Sequence, residues 1–156
     1  MMRLALFVCT FGYIGYFPIA PGTVGSAAGV VVYGLLRALG ASPIVDLGVI
    51  AALFVAGVWS GTLAEQHFGG TDPGPGVVDE VVGMLVTLWA LPETWTLVIV
   101  AFVVFRILDI IKPWPASRFE ALHGGLGMMA DDVMAAIYGN LLLRGALLVL
   151  PALGGA

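Results

Sequence analysis

Charge is what this sequence has least of. Across 156 residues there are six Lys or Arg and ten Asp or Glu, 10% of the chain. A water-soluble domain carries about 25%, so there is too little polar surface here to coat a soluble globule. No basic run or basic face is present, which excludes ordinary nucleic-acid binding. A single cysteine, Cys9, excludes an intrachain disulfide and a cysteine metal cluster, and it reads as a small apolar packing residue. The two histidines, His67 and His123, are isolated and read as surface or hydrogen-bonded positions, not ligands. Nucleophile motifs are missing too. There is no GxSxG, no DxDx[TV] signature, and Cys9 is not followed by five residues and an arginine. Any hydrolysis would then use metal-activated water or, failing that, a carboxylate nucleophile. No internal repeat, low-complexity tract or linker divides the chain, so residues 1–156 are expected to form one domain.

What is present is hydrophobic: 60% of the residues, with a mean hydropathy of +1.06. The expectation is an integral membrane protein of the all-α class, a transmembrane bundle of about five helices. The N-terminal stretch resembles a short signal peptide, but Pro21 follows the one candidate cleavage site, Ala20, so it reads as a retained buried or interfacial segment. The spacing of prolines, glycines and apolar runs predicts helices over residues 22–39, 44–67, 77–91, 93–111 and 131–150, with a short helix near 117–122. Pro21 suits a helix start, with Thr23 or Ser26 as cap. Gly25 with Gly29, and Gly57 with Gly61, have GxxxG spacing and predict close helix packing. These faces also leave room for a homo-oligomer. The helix from 77 is short and opens on Asp79 and Glu80, too polar to face lipid, so it is expected in the centre of the bundle. That leaves three to five true spans.

If each helix reverses direction, the 12–26, 65–80 and 106–132 segments gather at one end, and with them nearly every acidic residue. That end also holds Arg3, Arg106, Lys112 and Arg118, against Arg37 near the other, so the positive-inside rule makes it cytoplasmic. Three acidic clusters converge there: Asp72 with Asp79 and Glu80, then Asp109, then Asp131 with Asp132. An Asp at mid-bilayer costs roughly 2.5–3.5 kcal/mol, so these groups belong at an interface or inside the bundle. Taken singly, each also fits a favourable charge at a helix N-terminus. Taken together, their mutual repulsion calls for a divalent cation, and a set of hard oxygens points to magnesium rather than zinc. Arg106, Asp109 and Lys112 recur at intervals of three on one helix end. They read either as a structural ion pair with a snorkelling lysine or as an anion clamp beside a metal. Gly22-Thr23-Val24-Gly25-Ser26 at a helix N-terminus offers backbone N–H groups to the same anion.

Four motifs occur in order: GYFPIAPGTVGS at 15–26, Asp72-Pro73 followed by VDEVVGM at 78–84, FRILDIIKPWP at 105–115, and GMMADD at 127–132. Together they resemble the phosphatidylglycerophosphatase A family. The resemblance implies a magnesium-dependent phosphatase of the bacterial inner membrane with a cytoplasmic active site. Its substrate would be the phospholipid phosphatidylglycerophosphate, hydrolysed to phosphatidylglycerol and phosphate. On this reading the expected mechanism has Asp79, Glu80, Asp131 and Asp132 holding magnesium, Asp72 and Asp109 completing the shell or positioning water, and Arg106, Lys112 and the Thr23, Gly25 and Ser26 segment holding the phosphate. Two other readings compete. A transport or channel subunit with a carboxylate cation path would spread its acids through the bilayer depth. A non-catalytic assembly protein would use only the GxxxG faces.

Overall fold

Prolines and threonines set the helix starts. Pro21 and Pro43 occupy first-turn positions, where the missing N–H costs nothing. Ser42 and Thr94 accept from Val45 and Leu97 amides as N-caps. The computed structural model describes residues 1–70, 73–119 and 122–155. Among these it is all-helical, with no strand: α1 (Met2–Cys9), α2 (Pro21–Ala38), α3 (Pro43–Phe68), α4 (Val78–Leu88), α5 (Trp95–Ile111), α6 (Ala116–Phe119) and α7 (Gly125–Val149), with 3-10 turns at Ile14–Tyr16 and Pro151–Gly154. Asp72 falls outside the described residues.

The short helix is the centre. Nine of the 11 residues of α4 are buried, and it packs on α2, α3, α5 and α7. At 1.5 Å per residue it is about 16 Å long, half of what a bilayer crossing needs. Two helices are long and apolar enough to cross a membrane, α3 with 26 residues and α7 with 25. The GxxxG faces do the packing expected of them. A Cβ on Gly25 would lie 2.8 Å from Val77 Cβ, and one on Gly29 2.7 Å from Met84 Cβ, so α2 lies flush against α4. Gly61 similarly faces Gly125 Cα, where a Cβ would come within 2.9 Å, bringing α3 onto α7.

Several boundaries differ from the sequence reading. The N-terminal segment is a helix, buried at Ala5 and Cys9 and packed on α3. Neither Thr23 nor Ser26 caps α2. The cap position is Ala20, in a left-handed conformation, and Ser26 Oγ donates back to Gly22 O at 2.9 Å. The last helix begins at Gly125 and not near 131, because its first amides are capped from another helix. Gly124 N–H donates to Glu65 Oε2 and Gly125 N–H to Thr62 Oγ1, each at 3.0 Å. Asp131 and Asp132 therefore lie in the second turn of α7, inside the helix.

The central helix also stops early, at Leu88. Asn140 Nδ2 donates to the carbonyls of Val86, Thr87 and Trp89, and Arg144 Nη2 donates to Trp89 and Ala90. Asn140 Oδ1 in turn accepts from Arg144 Nε at 2.7 Å. These side chains of α7 satisfy the C-terminal carbonyls that α4 leaves open. Asn140→Leu removes the donor and keeps the volume, so it should destabilise the fold by about 1–3 kcal/mol. A lowered Tm in detergent, with phosphate release per folded molecule unchanged, is the expected measurement.

Candidate metal and phosphate site

Four helices meet where their polar ends coincide: the starts of α2 and α4, the second turn of α7 and the end of α5. The first turn of α4 supplies Asp79 and Glu80, and α7 supplies Asp132. One carboxylate oxygen from each lies within 4.8 Å of the other two. Asp79 and Asp132 are buried. Glu80 Oε2 and Asp132 Oδ2 are shielded from solvent and accept no hydrogen bond from the described residues. Buried anionic oxygens this close repel strongly in a low dielectric, and α5 brings a guanidinium to them. Arg106 Nη1 lies 4.0 Å from Glu80 Oε1 and donates to Asp109 Oδ2 at 2.6 Å. Asp109 is buried and its charge acts on Asp132, so it links the cluster to the guanidinium. Arg106 Nη1 also reaches Ser26 Oγ at 3.5 Å, while its Nε is buried without an acceptor.

The sequence-derived site residues separate into two groups. Asp79, Glu80, Asp132, Asp109, Arg106 and Ser26 come together. Asp131, expected beside Asp132 as a ligand, instead pairs with Lys112, and its Oδ1 accepts from the Asp132 amide at 2.9 Å. Successive residues of a helix point about 100° apart, so both cannot face the α4 carboxylates. Lys112 is therefore engaged with Asp131, at the left-handed residue that ends α5. The amides expected to cradle an anion are also largely committed. Thr23 and Val24 N–H both donate to Ala20 O, and Gly25 and Ser26 lie within the helix. Gly25 contributes proximity, since a Cβ there would approach Glu80 Cβ to 3.4 Å.

Gly22 enters the sequence reading only as part of the Gly22–Ser26 turn offered to an anion, and its place in the structure is different. A Cβ on it would strike Glu80 Oε1 and lie 3.0 Å from Arg106 Nη2. Its bare backbone forms the wall between the carboxylate and the guanidinium. The sequence marks it as a helix-entry and anion-turn residue, and nothing local marks the space it leaves beside Glu80 and Arg106.

Three hard oxygen donors beside a guanidinium suit a divalent cation next to a bound phosphoryl group. The family comparison agrees with that chemistry. The family model described as phosphatidylglycerophosphatase A matches residues 7–147. The chain belongs to the phosphatidylglycerophosphatase A family. It is 41% identical over 128 residues to the phosphatidylglycerophosphatase A of Escherichia coli, covering 79% of this chain and 72% of that one. It is also 41% identical over 122 residues to the Haemophilus influenzae protein of the same name, covering 76% and 74%. A Bacteroides thetaiotaomicron relative named as a putative phosphatidylinositol-3-phosphatase is 38% identical over 137 residues, covering 83% and 84%. No solved structure matches the chain. The phosphatidylglycerophosphatase A motifs at 15–26, 78–84, 105–115 and 127–132 are the segments that build the site.

Proposed function

We propose that this family member hydrolyses the terminal phosphomonoester of phosphatidylglycerophosphate, giving phosphatidylglycerol and phosphate, at the cytoplasmic face of a bacterial inner membrane. The observation that carries this reading is the Asp79, Glu80 and Asp132 cluster with Arg106 beside it. The names of the Escherichia coli and Haemophilus influenzae relatives support the substrate. Membrane insertion is supported by the outer surface, where Ile44, Val55, Ile110 and Leu148 are each more than two-thirds exposed, as lipid contact allows and water does not. The orientation rests on Arg106, Lys112 and Arg118 lying toward the site and Arg37 away from it.

The unpartnered oxygens of Glu80 and Asp132 fit a cation, and the all-oxygen donor set favours Mg2+. Magnesium bound there supplies electrophilic stabilisation of phosphoryl oxygens and a more acidic water. Asp79, Glu80 and Asp132 would hold it. Arg106, oriented by Asp109, donates to the non-bridging phosphate oxygens, and Ser26 steadies the guanidinium. Asp72 and Asp109 complete the shell or position the attacking water. Asp131 and Lys112 form an ion pair that fixes the second turn of α7, and Thr23 and Gly25 shape the start of α2. A water oxygen adds to phosphorus as the bond to the glycerol oxygen breaks, and that oxygen leaves with a proton.

The transport reading wants acids spread through the depth of the bundle. Asp46 and Glu93, at the far end, are both paired with Arg37 instead. The name of the Bacteroides relative favours one second reading, a phosphoinositide headgroup on the same site. Purified protein in detergent is expected to release phosphate from phosphatidylglycerophosphate, to lose activity in a chelator and to regain it with magnesium. Release from phosphatidylinositol 3-phosphate alone would move the assignment to the second reading. No release from either lipid with any divalent metal would sink it.

A further inference from the structure

The first turn of α4 carries two of the three clustered carboxylates, yet its N-cap position is Val77, which offers the helix no side-chain acceptor. The contacts that fix this start come from the N-terminal segment. Val77 N–H, one of the open donors of a helix N-terminus, donates to the Cys9 carbonyl at 2.9 Å. Gly15, in the 3-10 turn after α1, lies flush on the residues just before the helix. A Cβ there would strike the Pro75 carbonyl oxygen and lie 3.3 Å from Val77 Cγ1. Thr10 holds Gly15 in place, its carbonyl accepting the Gly15 amide at 3.0 Å and its Oγ1 accepting from Tyr13 N–H at 3.1 Å. Gly76 closes another side, where a Cβ would come within 2.7 Å of Met128 Cε and 3.2 Å of Cys9 Sγ. Cys9, Thr10 and Val77 have no solvent exposure. Met128 is one turn before Asp132 on α7, so residues 75–77 touch the N-terminal segment on one side and the helix of the third carboxylate on the other.

We propose that residues 9–15 clamp the start of α4 and so position Asp79 and Glu80 against Asp132, with Gly15 and Gly76 as positioning residues for the metal. The proposal rests on the reading of Asp79, Glu80 and Asp132 as a magnesium site, and it adds the elements that set the spacing of that site. Asp79 and Glu80 follow Val77 by less than one helical turn, so a displaced Val77 carries both carboxylates with it. At Gly15 backbone meets backbone, and no flexible atom is there to absorb an added methyl. At Gly76 the nearest atom is the end of a methionine, which yields more easily.

The test reads magnesium affinity from the Tm of the purified protein in detergent as magnesium is titrated, with phosphate release followed in parallel. Gly15→Ala is expected to raise the magnesium concentration at the midpoint of the Tm rise by about 10–100-fold, the scale of losing an outer support of a metal site. Gly76→Ala should move the midpoint in the same direction by less, and it decides the matter alone if Gly15→Ala does not fold. Asn140→Leu, which loosens the opposite end of α4, should lower the Tm and keep the wild-type midpoint, separating lost stability from lost positioning. A wild-type midpoint in the folded glycine variants would overturn the clamp. So would failure of both to fold, which would make the 9–15 segment a folding element alone. A wild type whose Tm does not respond to magnesium overturns the metal reading itself, and the clamp with it.

Discussion

Asp132→Asn should lower phosphate release by at least about a thousandfold, and Glu80→Gln should do nearly the same. The magnitude follows from removing a preorganised charge at the reacting centre, worth about two to three orders of magnitude for a neutral donor and more where a metal is lost. Both substitutions keep the shape of the side chain. Each replaces an anionic oxygen that has no hydrogen-bond donor among the described residues with an amide that ligates magnesium poorly. Stability supplies a second readout with the opposite sign. In a chelator, Asp132→Asn should melt higher than the wild type, by about 1–2 kcal/mol, because one of three crowded buried carboxylates no longer needs compensation. Added magnesium should then raise the wild-type Tm through binding to the folded state and leave the variant where it was. Unchanged activity in either variant, or an equal magnesium shift in Asp132→Asn and wild type, would remove the metal from this cluster.

Much of this site was readable in the chain because it consists of charges that a hydrophobic protein has no other use for. Asp79 and Glu80 at the start of a short helix, and Arg106 three residues before Asp109, stand out against their background. In the structure the start of α4, the end of α5 and the second turn of α7 bring Asp79, Glu80, Arg106, Asp109 and Asp132 close to one another. The central position of α4 was legible for the same reason: its polar start could not face lipid. Apart from the local misreading of the α2 cap, the failures involve contacts made from elsewhere in the fold. The start of α7 at Gly125 has no local cap and depends on Glu65 and Thr62 of α3. The end of α4 at Leu88 is set by Asn140 and Arg144, more than fifty residues later. Asp131 and Asp132 look equivalent as neighbours in a motif, yet helical phase sends one to Lys112 and the other to Glu80. Because the start of α7 was misplaced, that phase had no anchor. A glycine is the hardest kind of site residue to see, since what it contributes is space.

Gly22→Ala is the sharpest test of that last point. By helix propensity alone, alanine in the first turn of α2 should stabilise the chain by something under about 1 kcal/mol. The added Cβ, however, would strike Glu80 Oε1 and crowd both Arg106 Nη atoms, at 3.0 and 3.2 Å. These are the far ends of flexible side chains, so they move and the fold survives. What is lost is their alignment, and a displacement near 1 Å at a reacting centre costs about a hundredfold. Gly22→Ala is therefore expected to keep a near-wild-type Tm while kcat/KM falls about a hundredfold. The magnesium concentration for half-maximal activity should rise, because Glu80 is turned from its partners, and excess magnesium should recover part of the rate. Gly34→Ala, on the same helix with nothing within 4 Å of its added methyl, should leave both activity and magnesium requirement alone. If Gly22→Ala behaves like Gly34→Ala, the start of α2 is packing only, and the wall between Glu80 and Arg106 has no part in the chemistry. If instead it unfolds the protein, Gly22 is a structural residue of the α2–α4 contact like Gly25 and Gly29, whose added methyls would meet Val77 and Met84 at 2.8 and 2.7 Å. A folded, magnesium-hungry, slow enzyme is the outcome that sets Gly22 apart from them.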